Sequence, residues 1–221
     1  MAAKVILIVL AVVGALLLLL LVLLKVAVRI GKSLGWSGAC PVGLNWILDN
    51  PVRRRYAPSI LDRVGIRTGE RVLELGPGPG VFSLDAARRT GPTGRLICTD
   101  IQAGMIARVA ARAREARLDN IEARVASAYE LPLENESVDR AFLVSVLSEI
   151  PDQERALREL LRVLKPAGIL SVTEEFPDPD YLFPNETIRR LQSIGFRLES
   201  RFGSLWRYTL NFRRTLGHLA S

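Results

Sequence analysis

Val72-Leu73-Glu74-Leu75-Gly76-Pro77-Gly78-Pro79-Gly80 joins an apolar run to a chain of alternating glycine and proline. Arg71–Leu75 predicts a strand, the Gly-Pro steps a turn, and Val81–Arg89 a helix. Glycines let a backbone turn tightly and approach a ligand without side-chain obstruction. In open α/β sheets, ligands settle at the carboxyl ends of the strands, which is where this loop falls.

The next predicted strand, Arg95–Asp100, closes on Cys98-Thr99-Asp100, with Asp100 24 residues beyond Gly76. A carboxylate at a strand end accepts hydrogen bonds from ribose hydroxyls, so loop and acid together make half of a nucleoside site. A dinucleotide and S-adenosylmethionine (SAM) both fit so far. Gly-x-Gly-x-x-Gly turns a helix N-terminus onto a pyrophosphate. The loop here is Gly-x-Gly-x-Gly, with Glu74 two residues before its first glycine. SAM has no phosphate and carries an ammonium, which an acid near the loop helps to hold directly or through water. The pattern favours SAM.

From residue 57 onward the pattern alternates helix and strand. Helices are expected over Ser59–Val64, Ala103–Arg117, Gln153–Leu164 and Asn185–Ser193. Met105, Ile106, Val109, Ala110 and Ala113 form the apolar face of the second. Further strands are expected over Ile121–Ala126, Val138–Val144, Gly168–Thr173, Phe196–Arg201 and Leu205–Phe212. In the last, Trp206, Tyr208, Leu210 and Phe212 share one face. The expected fold is α/β: a Rossmann-like, seven-stranded, mostly parallel sheet with helices on both faces.

Residues 56–214 resemble the class I SAM-dependent methyltransferases, and most closely the small branch that includes ubiquinone and menaquinone C-methyltransferases. The resemblance runs through the acidic glycine loop, Asp100, Ala126-Ser127-Ala128-Tyr129-Glu130-Leu131-Pro132-Leu133, Val138-Asp139-Arg140-Ala141-Phe142 with Leu147-Ser148-Glu149-Ile150-Pro151, and Leu164-Lys165-Pro166-Ala167-Gly168. It implies that Glu74, Gly76, Gly78 and Gly80 line the methionine part of SAM and that Asp100 holds the ribose. Ile101 would then pack on the adenine, Ser127 and Ala128 face its edge, and Val144 and Ser145 lie beneath the cofactor. Ser127 stands where relatives often have an acid, which weakens the expected grip on the adenine amino group. Many relatives carry a histidine near Ser148-Glu149, and its absence removes an obvious general base.

Methyl transfer from a sulfonium is an in-line displacement whose leaving group is already activated, so positioning supplies much of the rate. A hydroxyl or acidic-carbon acceptor needs a base. The candidates are Glu149, Glu174 or Glu175, and Tyr129; His218, in the tail, is a weak one. Phe176–Pro184, rich in proline and aromatics, is either a rim over the acceptor or a plain connection. Cys40 and Cys98 have no metal-ligand spacing, so no metal site is expected.

Val5–Leu24 is 20 residues without a charge, a length that spans roughly 30 Å as a helix. A signal peptide would have a shorter apolar region and a small-residue cleavage site close behind it. A single-pass anchor is therefore expected over residues 1–30. A linker follows over 31–55, holding Trp36 and Trp46, then the methyltransferase domain over 56–214 and a tail over 215–221. Only Lys4 precedes the apolar block, whereas Lys25, Arg29 and Lys32 follow it, which places the catalytic domain on the cytosolic side. The net charge of +7 divides into +6 over residues 25–71, −6 over 72–188 and +6 over 189–221, with Lys4 completing it. Basic ends beside an anchor suit an anionic lipid surface, and Arg53–Arg55 either touch lipid phosphate or are simply solvated. No aromatic-basic motif points to nucleic acid.

The leading expectation is methyl transfer to a lipophilic or membrane-associated small molecule, a quinone precursor or lipid headgroup. The alternatives are a soluble metabolite or protein acceptor, or a non-catalytic SAM-binding scaffold.

Overall fold

The computed structural model describes residues 2–33, 49–176, 178 and 180–215. Most of the expected linker, with Trp36, Cys40 and Trp46, lies outside the described residues, as do Pro177, Pro179 and His218.

Helix α1 (Ala2–Ser33) carries the apolar block, and its side chains from Val5 to Leu20 are exposed. Among the described residues, no helix is long and apolar enough to cross a membrane. The anchor expected over residues 1–30 is not supported by this structure.

The rest of the described chain folds around one seven-stranded sheet. Its strands are β1 (Arg71–Leu75), β2 (Arg95–Asp100), β3 (Ile121–Val125), β4 (Val138–Val144), β5 (Leu164–Glu175), β6 (Phe196–Ser204) and β7 (Arg207–Arg214). The order is β3-β2-β1-β4-β5-β7-β6, with β7 antiparallel to both of its neighbours. The chain runs outward from β1 to β3, then returns to lay β4 on the other side of β1. That reversal opens a crevice above β1 and β4, where a ligand settles.

Five more helices cover the sheet: α2 (Pro51–Val64), α3 (Ser83–Thr90), α4 (Ala103–Glu115), α5 (Gln153–Val163) and α6 (Pro184–Ile194). Alternate residues of a strand face opposite sides. Val72, Leu96, Cys98 and Phe142 accordingly pack with Ile60 and Leu61 of α2, Ala86 of α3 and Val109 of α4. Leu73, Ile97, Leu143 and Leu170 pack with Leu157 and Leu160 of α5 and Leu191 of α6.

Three elements depart from expectation. Helix α2 starts at Pro51 rather than Ser59, because Asn50 caps it by accepting from the Arg53 N–H (2.9 Å) and proline suits a first helical position. Pro58 then sits inside the helix on an exposed position, where water can serve the carbonyl left without a donor. Strand β5 starts at Leu164, before Pro166, and a register shift between Val138 and Arg140 absorbs the extra residues. Tyr208, Leu210 and Phe212 share a fully buried face, but Trp206 falls in the β6–β7 turn and is 69% exposed.

One ion pair ties helix, loop and sheet together. Arg140 grips Glu70 with two hydrogen bonds (2.9 and 3.0 Å), and its remaining arm donates to the Val64 carbonyl at the end of α2 (2.8 Å). Replacing Arg140 with methionine strands the half-buried Glu70 carboxylate, at a cost of about 3 kcal/mol. Urea denaturation should show that loss; an unchanged midpoint would show the pair to be dispensable.

Candidate functional site

Beyond β1 the backbone passes through Gly76 (φ 69°), Gly78 (φ 53°) and Gly80 (φ 81°), a left-handed region that side-chain-bearing residues seldom enter. Gly76 is doubly constrained, since a Cβ there would lie 2.5 Å from a Val146 methyl. Its N–H donates to the Thr99 carbonyl (2.8 Å), which fastens the loop to β2. From α4, Arg112 donates to the Pro79 carbonyl (2.9 Å) and holds the far side of the loop.

Asp100 closes β2 beside that loop. Its Oδ1 accepts from the Gln102 N–H (2.9 Å), and the N–H groups of Gly78 and Ile101 also point to the carboxylate. Burial pushes the Asp100 carboxyl above its ordinary range, and these backbone donors oppose the shift. Ile101 is 67% exposed and offers an apolar surface next to the acid. The Ala126 N–H donates to the Asp100 carbonyl (3.0 Å), which brings Ser127 and Ala128 alongside. The Ser127 hydroxyl accepts from the Tyr129 N–H (3.2 Å) and shapes that turn.

Val144 ends β4, and Ser145 follows in a left-handed conformation (φ 55°). A non-glycine residue held there stores strain, a habit of functional sites. The Ser145 N–H donates to the Thr173 carbonyl (2.8 Å). All the residues expected to hold SAM thus gather at the carboxyl ends of β1 to β4.

Glu74, expected to line the methionine part of SAM, is instead turned into the protein. It is 2% exposed and accepts from the Ser83 hydroxyl (2.6 Å) and the Cys98 thiol (3.4 Å). The carboxylate therefore braces the start of α3 against β1 and β2. Burial pushes its carboxyl up to about 7, against those two hydrogen bonds.

The expected bases have different surroundings. The Tyr129 hydroxyl accepts from the Asp152 N–H (3.0 Å) at the start of α5. Glu149 closes a short 3-10 turn, Leu147–Glu149. Glu174 is fully buried on the α5–α6 face, where burial drives its carboxyl well up and Ser148 offers the opposing hydrogen bonds. None of the three lines the cavity of about 490 Å³ that lies beside the crevice.

Glu175 does line it, with Tyr56, Arg63, Phe176, Trp206 and Arg207 among its neighbours. Glu175 pairs with Arg53 (2.9 Å) and, more loosely, with Arg207 (3.9 Å). The Ser145 hydroxyl donates to it at 3.5 Å, which links this cavity to the end of β4. Burial, then Glu175, pushes the Tyr56 phenol up to about 12, and the Arg207 guanidinium lies 3.8 Å from the Tyr56 ring centre. Arg53 also lies over the Phe82 ring (5.4 Å), just beyond the glycine loop. Arg53, Tyr56 and Arg207 went unnoticed as site residues in the sequence. Reading Asn50-Pro51 as a helix start would have placed Arg53, Tyr56 and Ile60 on one helical face.

Residues 73–172 match the family described as Methyltransferase domain. Over 136 residues the chain is 32% identical to the ubiquinone/menaquinone biosynthesis C-methyltransferase UbiE of Hahella chejuensis, covering 59% of this chain and 53% of that protein. An uncharacterized 37.1 kDa protein in transposon TN4556 of Streptomyces fradiae is 36% identical over 139 residues, 63% of this chain and 39% of that one. The chain thus spans about half, or less, of these curated relatives. Among solved structures, a SAM-dependent methyltransferase from Aquifex aeolicus superposes with a TM-score of 0.75 at 21% identity, covering 80% of this chain and 100% of that one. Geranyl diphosphate C-methyltransferase from Streptomyces coelicolor, solved with S-adenosyl-L-homocysteine, gives 0.63 at 16% identity, with 73% and 79% covered.

Glu74 supplies a pH test of this geometry. A carboxyl raised from 4.5 to about 7 adds stability that is complete below pH 4.5 and lost as pH rises through 7. Between those limits, wild type should lose about 3 kcal/mol relative to Glu74→Gln. Parallel urea curves at the two pH values would show Glu74 to be ordinary. Taken together, the comparisons give residues 73–172 the likeness of a methyltransferase domain, and the seven-stranded sheet the fold of solved methyltransferases.

Proposed function

We propose that this chain transfers the methyl group of SAM to a lipophilic small molecule at a membrane. One observation carries the cofactor half of that reading: the Asp100 carboxylate and the glycine-rich Gly76–Gly80 loop meet at the ends of β1 and β2. The residues present fit the group. Asp100 keeps acceptor capacity for ribose hydroxyls beyond its backbone donors, the exposed Ile101 suits a flat base, and the loop admits the methionine part without obstruction.

When bound, SAM supplies a methyl carbon on a positively charged sulfur. The chain's own residues supply position, and a place for the acceptor's proton if that proton must leave. Glu175 suits the second task better than the buried Glu174, because it lines the cavity and touches Ser145 at the end of β4. Arg53 and Arg207 beside it would stabilise negative charge on a deprotonated acceptor.

The lipophilic acceptor is supported by the aromatic side of the cavity, Tyr56, Phe176 and Trp206, and by the likeness to UbiE, whose name gives a quinone pathway. A membrane location is supported by the apolar exposed side chains of α1 and by the basic residues that follow them. On this reading α1 anchors the chain in a single pass, with the folded domain on the cytosolic side.

Asp100→Ala should raise the dissociation constant for SAM by about 10- to 100-fold, as read by calorimetry, while leaving the fold intact by circular dichroism. Unchanged affinity would remove Asp100 from the site. Incubation of the full chain with methyl-labelled SAM and a membrane extract should place label in the organic phase. Label confined to water-soluble material would overturn the lipophilic acceptor.

A further inference from the structure

The mouth of the cavity is unusually apolar for an exposed surface. Val52 at the start of α2 is 71% exposed, and Trp206 in the β6–β7 turn is 69% exposed; both line the cavity. Leu205 beside Trp206 is 60% exposed and Phe183 is 61% exposed. These side chains belong to one patch. Trp206 packs edge-on against Phe176 (4.9 Å) and Phe176 against Tyr181 (5.9 Å). Tyr181 in turn meets Phe183 (5.5 Å) and donates its hydroxyl to the Leu205 carbonyl. The rim is therefore fixed from behind by an aromatic cluster, and its apolar atoms still face outward.

Basic groups border the same patch. Arg55 is exposed on the first turn of α2, three residues beyond Val52 and so on the same side of the helix, whereas Arg54 is held by Asp49 (2.6 Å). Arg201 is exposed on β6 and acts electrostatically on Tyr181. A tryptophan and aliphatic side chains flanked by Arg55 and Arg201 suit the headgroup layer of a bilayer, where an indole ring is favoured and anionic lipid attracts the cations.

We propose that this rim, Val52, Phe183, Leu205 and Trp206, rests on an anionic lipid surface, so that the cavity opens toward the bilayer and takes its acceptor from it. The proposal rests on the membrane reading above and adds to it which face of the folded domain meets the lipid. It gives Arg55 a lipid-facing role, while Arg53 of the same run turns inward to Glu175 and Arg54 pairs with Asp49.

The test uses the full chain with Trp36→Phe and Trp46→Phe, leaving Trp206 as the only indole. The chain is mixed with phosphatidylcholine vesicles containing about one part in three phosphatidylglycerol. Flotation reports the tether, and bromine-labelled lipid reports contact of Trp206 with the acyl boundary. The proposal expects flotation together with about twofold quenching of Trp206 emission, and weaker quenching in phosphatidylcholine alone. Flotation with unquenched Trp206 would overturn the assigned face while leaving the tether standing. Failure to float would overturn the tether and the proposal together. A blue-shifted emission that needs no lipid and grows with protein concentration would assign the rim to a second copy of the chain, and would also overturn it.

Discussion

The fold depends on a contact between two backbone segments at the top of the sheet. Gly76 turns into the left-handed region and places its N–H on the Thr99 carbonyl, so the loop leaving β1 lies against the end of β2. No side chain is tolerated there, because Val146, just beyond β4, fills the space a Cβ would need. The same closeness sets the Gly78 N–H toward the Asp100 carboxylate. Three strand ends thus converge on a residue with no side chain, beside the proposed nucleoside site.

Charge is distributed around that point by burial. Glu74 lies inside the sheet's helical cover and holds α3 in place with a carboxyl that is half protonated near neutrality. Glu175 lies at the edge of the crevice and is met by two guanidinium groups. Glu174, its neighbour in sequence, faces the opposite side of the sheet and is sealed from water. Alternation along β5 thus separates two adjacent acids into a closed one and one at a cavity wall. Arg53 carries α2 across the crevice by reaching Glu175 and Phe82 together.

Much of this was legible in the sequence, and the exceptions have physical causes. The strand–glycine–helix passage and Asp100 were readable because special backbone angles and a strand-end acid leave a local signature. The central strands were placed because their apolar runs are strong, as in Val72-Leu73 and Ala141-Phe142-Leu143-Val144. The brace formed by Glu74, Ser83 and Cys98 was hidden, since it joins three elements far apart in the chain. Helix α2 was cut short because Pro58 looks like a boundary, although an exposed carbonyl can take water instead. Trp206 matched the alternation of β7 but lies in the turn before it, where the β6 hairpin sets the start of the strand at Arg207. Which acid lines the cavity was not readable either, because that depends on the face of β5 that meets α2.

Calorimetric titration of the purified full chain with SAM and, separately, with NAD should show saturable binding of SAM and none of NAD, because the loop and Asp100 suit a nucleoside and offer no pyrophosphate cradle. Binding of NAD, or no heat with SAM at millimolar concentration, would contradict this reading.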